Sequence, residues 1–410
     1  MHKLRVGVYI SNDFKPEHGG GYSYYTQIIE SIDNSNFDEK LEFIFFSIDT
    51  NIDKIFKKKH IKINTVDQSA RQQILNILNK RYFKIFLKLL LLFRVLHRPK
   101  KNEYKLKVQT ILKKSRIDVI YYPIPVNLDL DYPFVYTHWD NGHKIMYPFP
   151  EVSMHGIFET RKNSIEQTLF QAFAVFCESE AGKKEAIHLY GLYAEKIYVV
   201  PLPPGRVVDL KVLVEKQNEI LSDYRLASNK FFFYPAQFWA HKNHYNLIIS
   251  FKEFILSHAD FKLVLTGSDQ GNLKYIKRVV SDLNLSENVV FTGFVEDSVI
   301  FTFYKNALSL VMPTFLGPTN MPLLEAQNLG CKIICSNLPG HREMLKENAT
   351  YVDPRNAKSI LEAMNFQFEN INKPEPCENS FFNITNSLRY LEKNFIELIP
   401  AIKTFGLESF

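Results

Sequence analysis

Cysteine is scarce in this chain: Cys177, Cys331, Cys335 and Cys377 are the only four among 410 residues. Cysteines so few and so scattered exclude the dense disulfide framework of a small secreted domain. Cys331 and Cys335 fall on a predicted strand without metal-like partners. The sequence therefore predicts a protein of a reducing cytoplasm with no structural metal.

Long apolar runs are also absent. The run Val6–Ile10 is shorter than the ~7–15 residues of a signal-peptide core, and we expect it to form a buried strand. The apolar stretch Tyr82–Leu96 is interrupted by Lys84, Lys88 and Arg94. It also falls below the ~20 residues that span a bilayer, so no transmembrane helix is predicted.

Positive charge is unevenly spread, although the net charge is only +6. Much of the excess lies in 57–59 and 80–114. On a helix the basic residues of 82–98 would lie roughly opposite its phenylalanines and leucines. Two interpretations remain open: a helix on the inner surface of the cytoplasmic membrane, or a helix packed on its own domain with a solvated lysine edge. No groove-reading or base-stacking motif accompanies the charge, so no nucleic-acid partner is expected.

Short apolar, β-rich runs alternate with helical stretches, which is typical of parallel sheets. The length exceeds the ~250–300 residues at which single cores stop growing. The predicted fold class is therefore α/β with two Rossmann-like, doubly wound domains. Strands are predicted at Arg5–Ile10, Leu41–Ser47, Asp118–Tyr122, Pro133–Thr137, Ala172–Cys177, Ile197–Leu202, Phe231–Pro235, Lys262–Gly267, Asn288–Gly293, Ala307–Pro313, Lys332–Ser336 and Thr350–Asp353.

The cluster Pro201–Gly205 separates the two blocks of strands and is the predicted hinge. A second break falls at Lys373–Pro376, before a stretch that looks helical. We predict domains at 1–204 and 205–376, with the segment 377–410 returning to the first domain. Doubly wound sheets bind ligands at the carboxyl ends of their strands, which directs attention to the loops there.

Three consecutive glycines, Gly19, Gly20 and Gly21, follow the first predicted strand and open a helical stretch. Glycines allow a ligand to approach the backbone closely, and amides at a helix start bind phosphate or sugar oxygens. The spacing is neither that of a dinucleotide fingerprint nor that of a P-loop. A ligand-binding turn and a purely structural turn both remain open.

The most specific segment is 312–330, which follows a predicted strand and opens a helix with Pro322 near its first turn. The partial positive charge of the helix start suits a diphosphate. Glu325, one turn inside the helix, can accept hydrogen bonds from ribose hydroxyls. Its apolar flanks, Leu323, Leu324 and Ala326, argue against an ordinary solvated charge.

Together with Tyr234–His244, this segment resembles the donor lobe of retaining GT-B glycosyltransferases of family 4. The resemblance extends to Leu265–Ser268, to Val290–Val295 and to the stretch from Cys177 to Pro201. It implies two Rossmann-like domains that face a central cleft, with the acceptor on the N-terminal side. It also implies that the C-terminal domain binds a nucleotide sugar, which is a substrate, and that no cofactor is needed.

The resemblance assigns roles by position. Lys242 matches the family lysine that holds the donor diphosphate, where a positive charge offsets the charge building on the leaving group. Glu325 matches the second glutamate of the family's E-x7-E motif. Asn320 and Met321 would present backbone amides to the phosphates or the sugar, and Val295 would lie near the base.

Two positions depart from the family pattern. Gly317 stands where the first glutamate of the motif is common, and Gln237 stands where an arginine near the diphosphate is common. Two explanations remain open. Thr319 and Asn320 could replace the missing carboxylate by hydrogen bonding the sugar, with Gln237 still a donor contact, or the lobe could be degenerate and inactive.

In the first domain, the segment Tyr136–His143 ends a predicted strand and offers polar groups at its carboxyl end. The family commonly has a His-Asp pair here. If Asp140 is the aspartate of that pair, Trp139 takes the histidine position, with His138 and His143 on either side. Which histidine faces the reaction is left open.

The resemblance implies transfer with retention of configuration and without a metal, by front-face attack. The acceptor would be a glycan or a lipid-linked molecule, as in bacterial surface polysaccharide synthesis. A GT-A enzyme with Asp129 and Asp131 as metal ligands, a GT-B-shaped nucleotide-sugar epimerase and a non-catalytic scaffold are the alternatives. An epimerase needs acid and base carboxylates in its cleft, and a scaffold would bind nucleotide without turnover.

Overall fold

The computed structural model describes residues 3–11, 15, 19–48, 52, 54–63, 101–146, 148–370, 372 and 374–404. The chain separates into two compact units made of discontinuous segments. The first unit comprises Met1–Phe14, Ile32–Tyr136 and Glu392–Phe410, and the second comprises Lys15–Ser31 and Thr137–Leu391. The domain boundaries drawn from the sequence, 1–204, 205–376 and 377–410, remain a prediction.

The basic amphipathic stretch 82–98 lies outside the described residues. None of the helices that the structure describes combines the length and the apolar character needed to cross a membrane.

The first sheet is formed by β1 (Leu4–Ile10), β2 (Leu41–Ser47), β3 (His60–Lys62), β4 (Val119–Tyr122), β5 (Phe134–His138), β6 (Ala174–Cys177) and β7 (Ile197–Val199). Their order in the sheet is β3-β2-β1-β4-β5-β6-β7. Val6 in β1 pairs with Phe43 in β2 on one side and with Val119 in β4 on the other, both in parallel. All three side chains are buried, as expected of parallel strands covered on both faces.

The second sheet lies entirely in the second unit and is formed by β8 (Phe231–Pro235), β9 (Lys262–Thr266), β10 (Val289–Gly293), β11 (Ser309–Met312), β12 (Ile333–Ser336) and β13 (Thr350–Val352). Their order in the sheet is β10-β9-β8-β11-β12-β13. Phe231, Phe232 and Phe233 in its central strand β8 are fully buried, and each such side chain stabilises the fold by roughly 1.5–3 kcal/mol. The pairings of β8 with β9 and with β11 are parallel.

Helices connect the parallel strands, as parallel pairing requires a crossover. They are α1 (Gly20–Asn34), α2 (Lys101–Lys114), α3 (Gly142–Ile145), α4 (Pro150–Ser153), α5 (Ile157–Gln171), α6 (Glu180–Tyr190), α7 (Val214–Asp223), α8 (His244–Ile255), α9 (Leu273–Asp282), α10 (Asp297–Asn306), α11 (Met321–Leu329), α12 (Pro339–Leu345), α13 (Ala357–Glu369) and α14 (Ile384–Thr404).

The end of α14 packs within the first unit. The ring of Phe395 meets the rings of Phe43 and Tyr121 edge-on, each at 5.6 Å between centroids. Nζ of Lys403 pairs with Oδ1 of Asp118 at 2.8 Å. An aromatic cluster and an ion pair therefore fix this helix to the strands β2 and β4 and to the residue that precedes β4.

The α/β fold with two doubly wound sheets is confirmed, and each predicted strand is present. A second α/β sheet is not part of a single GT-A domain, so that alternative is wrong. The string Asp129-Leu130-Asp131 instead lies in a loop before β5, where Asp129 pairs with Lys105 at 2.6 Å.

Candidate active site

The carboxyl ends of β8 and β11 lie side by side, although the two strands are not consecutive in the chain. In a doubly wound sheet, such a switch point is where ligands bind. The segment after β8 leads to Lys242, and the segment after β11 leads to Asn320. The two segments singled out in the sequence therefore start from one edge of the sheet.

Lys242 is the last residue of a short 3₁₀ turn, Ala240–Lys242. Hydrogen bonds to the ends of β8 and β11 hold this turn and the residue after it in place. Its carbonyl accepts a hydrogen bond from the Tyr234 hydroxyl at 2.9 Å. The next residue, Asn243, has φ of 61°, a left-handed conformation that asparagine tolerates better than most residues. The Asn243 side chain donates to the carbonyl of Pro313, just after β11, at 2.8 Å.

The side chain of Lys242 meets the start of α11. Its Nζ donates to Oδ1 of Asn320 at 3.2 Å. Burial lowers the pKa of Lys242 to about 8, against the opposing effects of the Asp140 and Glu151 carboxylates. A poorly solvated ammonium group of this kind gains from an anionic ligand, which replaces the hydration that burial has removed.

A chain of hydrogen bonds orients the amide of Asn320. The carbonyl of Ser336 can only accept, so Nδ1 of His341, 2.8 Å away, is its donor. Nε2 of His341 therefore accepts from Nδ2 of Asn320 at 2.9 Å, which leaves Oδ1 for Lys242. Burial lowers the pKa of His341 to about 4, so the neutral imidazole that this arrangement requires persists at neutral pH.

Gly317 lies in the loop between β11 and α11 with φ of 120°. A β-carbon at this position would lie 2.4 Å from Nδ2 of Asn320 and 2.9 Å from the carbonyl oxygen of Thr319. Both the backbone conformation and the crowding require glycine. The departure from the family pattern at this position therefore has a structural cause, which is the placement of the Asn320 amide.

The helix α11 begins at Met321, with Asn320 as N-cap and Pro322 in the first turn. The Asn320 side chain makes no capping hydrogen bond, since it is engaged by Lys242 and His341. Met321 is buried at the helix start. First-turn amides combined with the helix dipole form a site of positive potential next to the Lys242 ammonium group.

Glu325 lies one turn into α11 and is held by two donors. Oε2 accepts from the Tyr304 hydroxyl at 2.7 Å, and the carboxylate also accepts from the Gly205 amide. A β-carbon on Gly205 would collide with Oε1, so the predicted hinge needs glycine here. Burial raises the pKa of Glu325 to about 7, although both hydrogen bonds act to lower it.

Thr319 makes a second carboxylate contact. Its Oγ1 donates to Oε2 of Glu178, just after β6, at 2.6 Å. Burial raises the pKa of Glu178 to about 7; the Thr319 hydrogen bond opposes this shift, and the charge of Asp140 adds to it. Glu178 thus lies beside the loop that precedes α11.

Both histidines at the end of β5 are buried. Nε2 of His138 donates to Oδ1 of Asn141 at 2.7 Å, and Nδ2 of Asn141 donates to Glu185. His143 lies on α3, and its Nε2 is 3.5 Å from the Tyr190 hydroxyl. Burial lowers the pKa of both histidines, that of His143 to about 4.

Asp140 is the charged group at this strand end. Its Oδ1 accepts from Arg161 at 2.6 Å and from the Gly142 amide at 2.8 Å. Burial acts to raise the pKa of Asp140, but Arg161 and the amide outweigh it, and the pKa is lowered. Asp140 is therefore ionised at neutral pH and adds negative charge near Lys242 and Glu178.

Residues 217–380, which include Lys242, Asn320 and Glu325, match the model of the family described as Glycosyl transferases group 1. This segment is a group 1 glycosyltransferase domain. The group 1 domain holds the whole second sheet, and its match agrees with the resemblance found in the sequence.

Two curated relatives are similar to parts of the chain. An uncharacterized glycosyltransferase of Methanocaldococcus jannaschii is 33% identical over 109 residues, which cover 26% of this chain and 27% of that protein. The O-antigen chain mannosyltransferase RfbU of Salmonella typhimurium is 28% identical over 126 residues, which cover 31% of this chain and 35% of that protein. The chain thus spans no more than 35% of the length of either relative.

Solved structures match over nearly the whole chain. A glycosyltransferase from Rickettsia africae has a TM-score of 0.67 at 16% identity and covers 97% of this chain and 99% of its own. Anabaena HepE in complex with UDP-glucose has a TM-score of 0.65 at 14% identity and covers 95% and 99%. At these identities the likeness shows the fold alone, which is GT-B.

The remaining predicted residues lie on three further loops. Gly19, with φ of 65°, precedes α1, and a β-carbon there would lie 3.3 Å from Nε2 of Gln237. Oε1 of Gln237 accepts from the Trp239 indole at 3.0 Å. Gly20 and Gly21 form the first residues of α1, and Val295 follows β10 in the group 1 domain. Gly19 and Gln237 are therefore close, and Val295 lies after a different strand, β10.

Several side chains of the site carry no signal in the sequence. Oε1 of Glu151 accepts from both the backbone amide and Nδ1 of His241, at 2.8 and 2.5 Å, and so holds the turn before Lys242. No motif in the sequence indicates a role for this carboxylate. The same is true of Arg161 and His341, whose partners Asp140 and Asn320 each lie 21 positions away in the chain. Gly205 was indicated only as part of the hinge, and Glu178 only as part of the stretch that resembles the family.

Proposed function

We propose that this protein is a retaining glycosyltransferase that moves a sugar from a nucleoside diphosphate sugar to a glycan or lipid-linked acceptor, without a metal ion. The observation that carries the proposal is the 3.2 Å contact between Nζ of Lys242 and Oδ1 of Asn320, directly before α11. This contact brings the buried ammonium group of Lys242 to the N-terminus of α11, an arrangement suited to binding a diphosphate. The group 1 domain supports the same proposal.

The donor nucleotide is proposed to bind across the group 1 domain. Lys242 and the amide of Met321 hold the diphosphate. Glu325 accepts hydrogen bonds from the ribose hydroxyls. The hydrogen bonds from Tyr304 and Gly205 already hold its carboxylate in place. Val295, after β10, lies near the base.

The sugar is proposed to lie against the loop before α11. Thr319 and Asn320 supply the polar contacts there. Gln237, which accepts from Trp239, lies next to Gly19, the first glycine of the run Gly19–Gly21. These groups line the phosphate and sugar portion of the donor.

In the proposed reaction, the bond between the anomeric carbon and the diphosphate oxygen breaks as the acceptor oxygen attacks the same face. The proton of the acceptor hydroxyl passes to the departing diphosphate oxygen. Lys242 stabilises the charge that builds on that diphosphate, and the protein otherwise contributes positioning. Asp140, His138 and His143 are proposed to contact the acceptor side, with Asp140 held in place by Arg161.

Two observations suggest the donor to test first and the class of acceptor. The relative RfbU is named as an O-antigen chain mannosyltransferase, which makes GDP-mannose the first donor to test. The basic amphipathic stretch 82–98 is suited to anionic lipid on the inner face of the cytoplasmic membrane. We therefore propose a peripheral enzyme of bacterial surface polysaccharide synthesis.

Membrane binding is tested by sedimentation with vesicles of phosphatidylglycerol and phosphatidylcholine. Wild-type protein is expected to sediment and to be released by salt. The triple variant Lys84→Glu, Lys88→Glu, Arg94→Glu should stay in the supernatant. Equal sedimentation of both proteins would count against the proposal.

Retention and metal independence are tested by proton NMR of product formed from GDP-mannose and octyl glycosides, with and without a chelator. The expected product has the anomeric configuration of the donor, at an unchanged rate in the chelator. An inverted product would contradict retention, and loss of rate would contradict metal independence. A new sugar nucleotide without glycoside would favour the epimerase alternative.

A further inference from the structure

We infer that Glu178 is a sugar-contacting residue, which supplies the carboxylate that receives hydroxyl groups of the transferred sugar. The inference rests on the proposed function, because it places the donor sugar beside the loop before α11. Nothing in the sequence motifs assigns a role to this residue.

The loop before α11 offers only neutral groups to a sugar: a glycine, a proline, a threonine and an asparagine at 317–320. Gly317 cannot carry a side chain, because a β-carbon there would lie 2.4 Å from Nδ2 of Asn320. A carboxylate nevertheless reaches the loop from elsewhere, since Oε2 of Glu178 lies 2.6 Å from Oγ1 of Thr319.

The Glu178 carboxylate has more acceptor capacity than the protein uses. It is 8% exposed, and the Thr319 hydroxyl is its one donor within the described part of the chain. No cation acts on it there, and the nearby charge of Asp140 is of the same sign. A carboxylate accepts about four hydrogen bonds, and a buried one with a single neutral partner is costly to maintain. Hydroxyl groups of a sugar would satisfy it.

The backbone holds Glu178 in place before any ligand arrives. Its carbonyl accepts from the Leu202 amide at 3.2 Å. The next residue, Ser179, is the N-cap of α6 and accepts from the Gly182 amide at 3.0 Å. Glu178 is thus fixed at the carboxyl end of β6, where side chains of a doubly wound sheet meet ligands. A pre-oriented acceptor loses little entropy on binding.

Calorimetric titration separates the sugar contact from the nucleotide contact. The probes are GDP with GDP-mannose and UDP with UDP-glucose. For the pair that wild-type protein binds, Glu178→Gln and Glu178→Ala should raise the Kd of the sugar nucleotide about 10-fold. The Kd of the free nucleotide should stay within about twofold, because no nucleotide contact is removed.

Three further variants complete the test. Thr319→Val should also raise the Kd of the sugar nucleotide, but by less than the Glu178 variants do. Thr319→Ser, which keeps the hydroxyl, should have the wild-type Kd. Glu180→Gln alters an exposed carboxylate two residues away and should change neither Kd. If folded Glu178 variants leave the Kd of the sugar nucleotide unchanged, or change it as much as the Kd of the free nucleotide, the inference is overturned while the proposed function stands. Wild-type protein that binds no nucleotide of either pair would overturn the proposed function and the inference with it.

Discussion

The amide of Asn320 occupies the space that a side chain at position 317 would need, since a β-carbon on Gly317 would lie 2.4 Å from its Nδ2 atom. The glycine and the asparagine therefore form a pair: a larger residue at one position displaces the other. Because Asn320 also contacts Lys242, any such displacement reaches the proposed diphosphate site.

Gly317→Ala should impair donor turnover more than it impairs folding. The added carbon displaces the Asn320 amide, so we expect kcat/KM to fall about 10-fold to 100-fold, as for loss of one hydrogen bond to a charged group. Gly271→Ala is the matched control, because Gly271 also has a positive φ of 99° but no atom near its β-carbon. Equal kinetics in the two variants would show that backbone strain alone matters.

His341 should act on donor binding through Asn320 rather than by direct contact. His341→Leu removes the acceptor that orients the amide, so KM for the donor should rise about 10-fold with a smaller change in kcat. His341→Gln retains a side-chain oxygen that can accept from Asn320 and should recover part of the loss. A fall in kcat with KM unchanged would argue against a positioning role. His188→Leu, at an exposed site on α6, serves as control.

Donor binding should take up protons near pH 8. The pKa of Lys242 is lowered to about 8 by burial, so about half of the side chains are neutral at that pH. A bound diphosphate favours the charged form, and affinity should therefore fall as pH rises above 8. Calorimetry in buffers of different ionisation enthalpy measures the uptake. It should disappear at pH 6 and in Lys242→Arg, and uptake that persists in Lys242→Arg would assign it to another group.

Glu325 should cost stability as pH rises. Its pKa in the folded protein, about 7, lies above the ordinary value of 4.5, so the folded state binds more protons between these values. Its favourable contribution is therefore complete below pH 4.5 and is lost as pH rises through 7. Between pH 5 and pH 8, the free energy of unfolding of Glu325→Gln should increase relative to that of wild type by on the order of 2 kcal/mol.

Urea unfolding at several pH values checks the Glu325 prediction. The comparison must be made between variants, because buried histidines such as His143 have lowered pKa values and act in the opposite sense. Glu362→Gln, an exposed carboxylate on α13, should follow the wild-type curve. Parallel curves for wild type and Glu325→Gln would contradict the raised pKa.

The sheets were predictable because buried parallel strands leave continuous apolar runs, such as Phe231–Pro235 in β8. The strand His60–Lys62 was missed, since it is short, polar and next to the lysines at 57–59. Its pairing with β2, rather than its own composition, makes it a strand. Local pattern carries no information on such a pairing.

The candidate site was predictable where a motif is contiguous, as at Asn320–Glu325, and not where contacts join distant segments. Glu178 lies 141 positions from Thr319 along the chain, and Glu151 lies 90 positions from His241. His341 could not be distinguished from an ordinary core histidine until its partners were placed. In the sequence, Gly317 stands where the family commonly has a glutamate, and only the position of the Asn320 amide explains why a glycine is required there.

Release of free nucleoside diphosphate, measured with a panel of donors that begins with GDP-mannose and UDP-glucose, shows whether this protein transfers a sugar from a nucleotide. We expect the wild-type protein to release nucleoside diphosphate from one donor, and Lys242→Ala and Glu325→Ala to release it at least about 100-fold more slowly. Lys358→Ala and Glu362→Ala, an exposed lysine and glutamate on α13, should match wild type. Release at the wild-type rate in Lys242→Ala would contradict the proposed role of this lysine at the diphosphate, and nucleotide binding without release from any donor would favour a non-catalytic lobe.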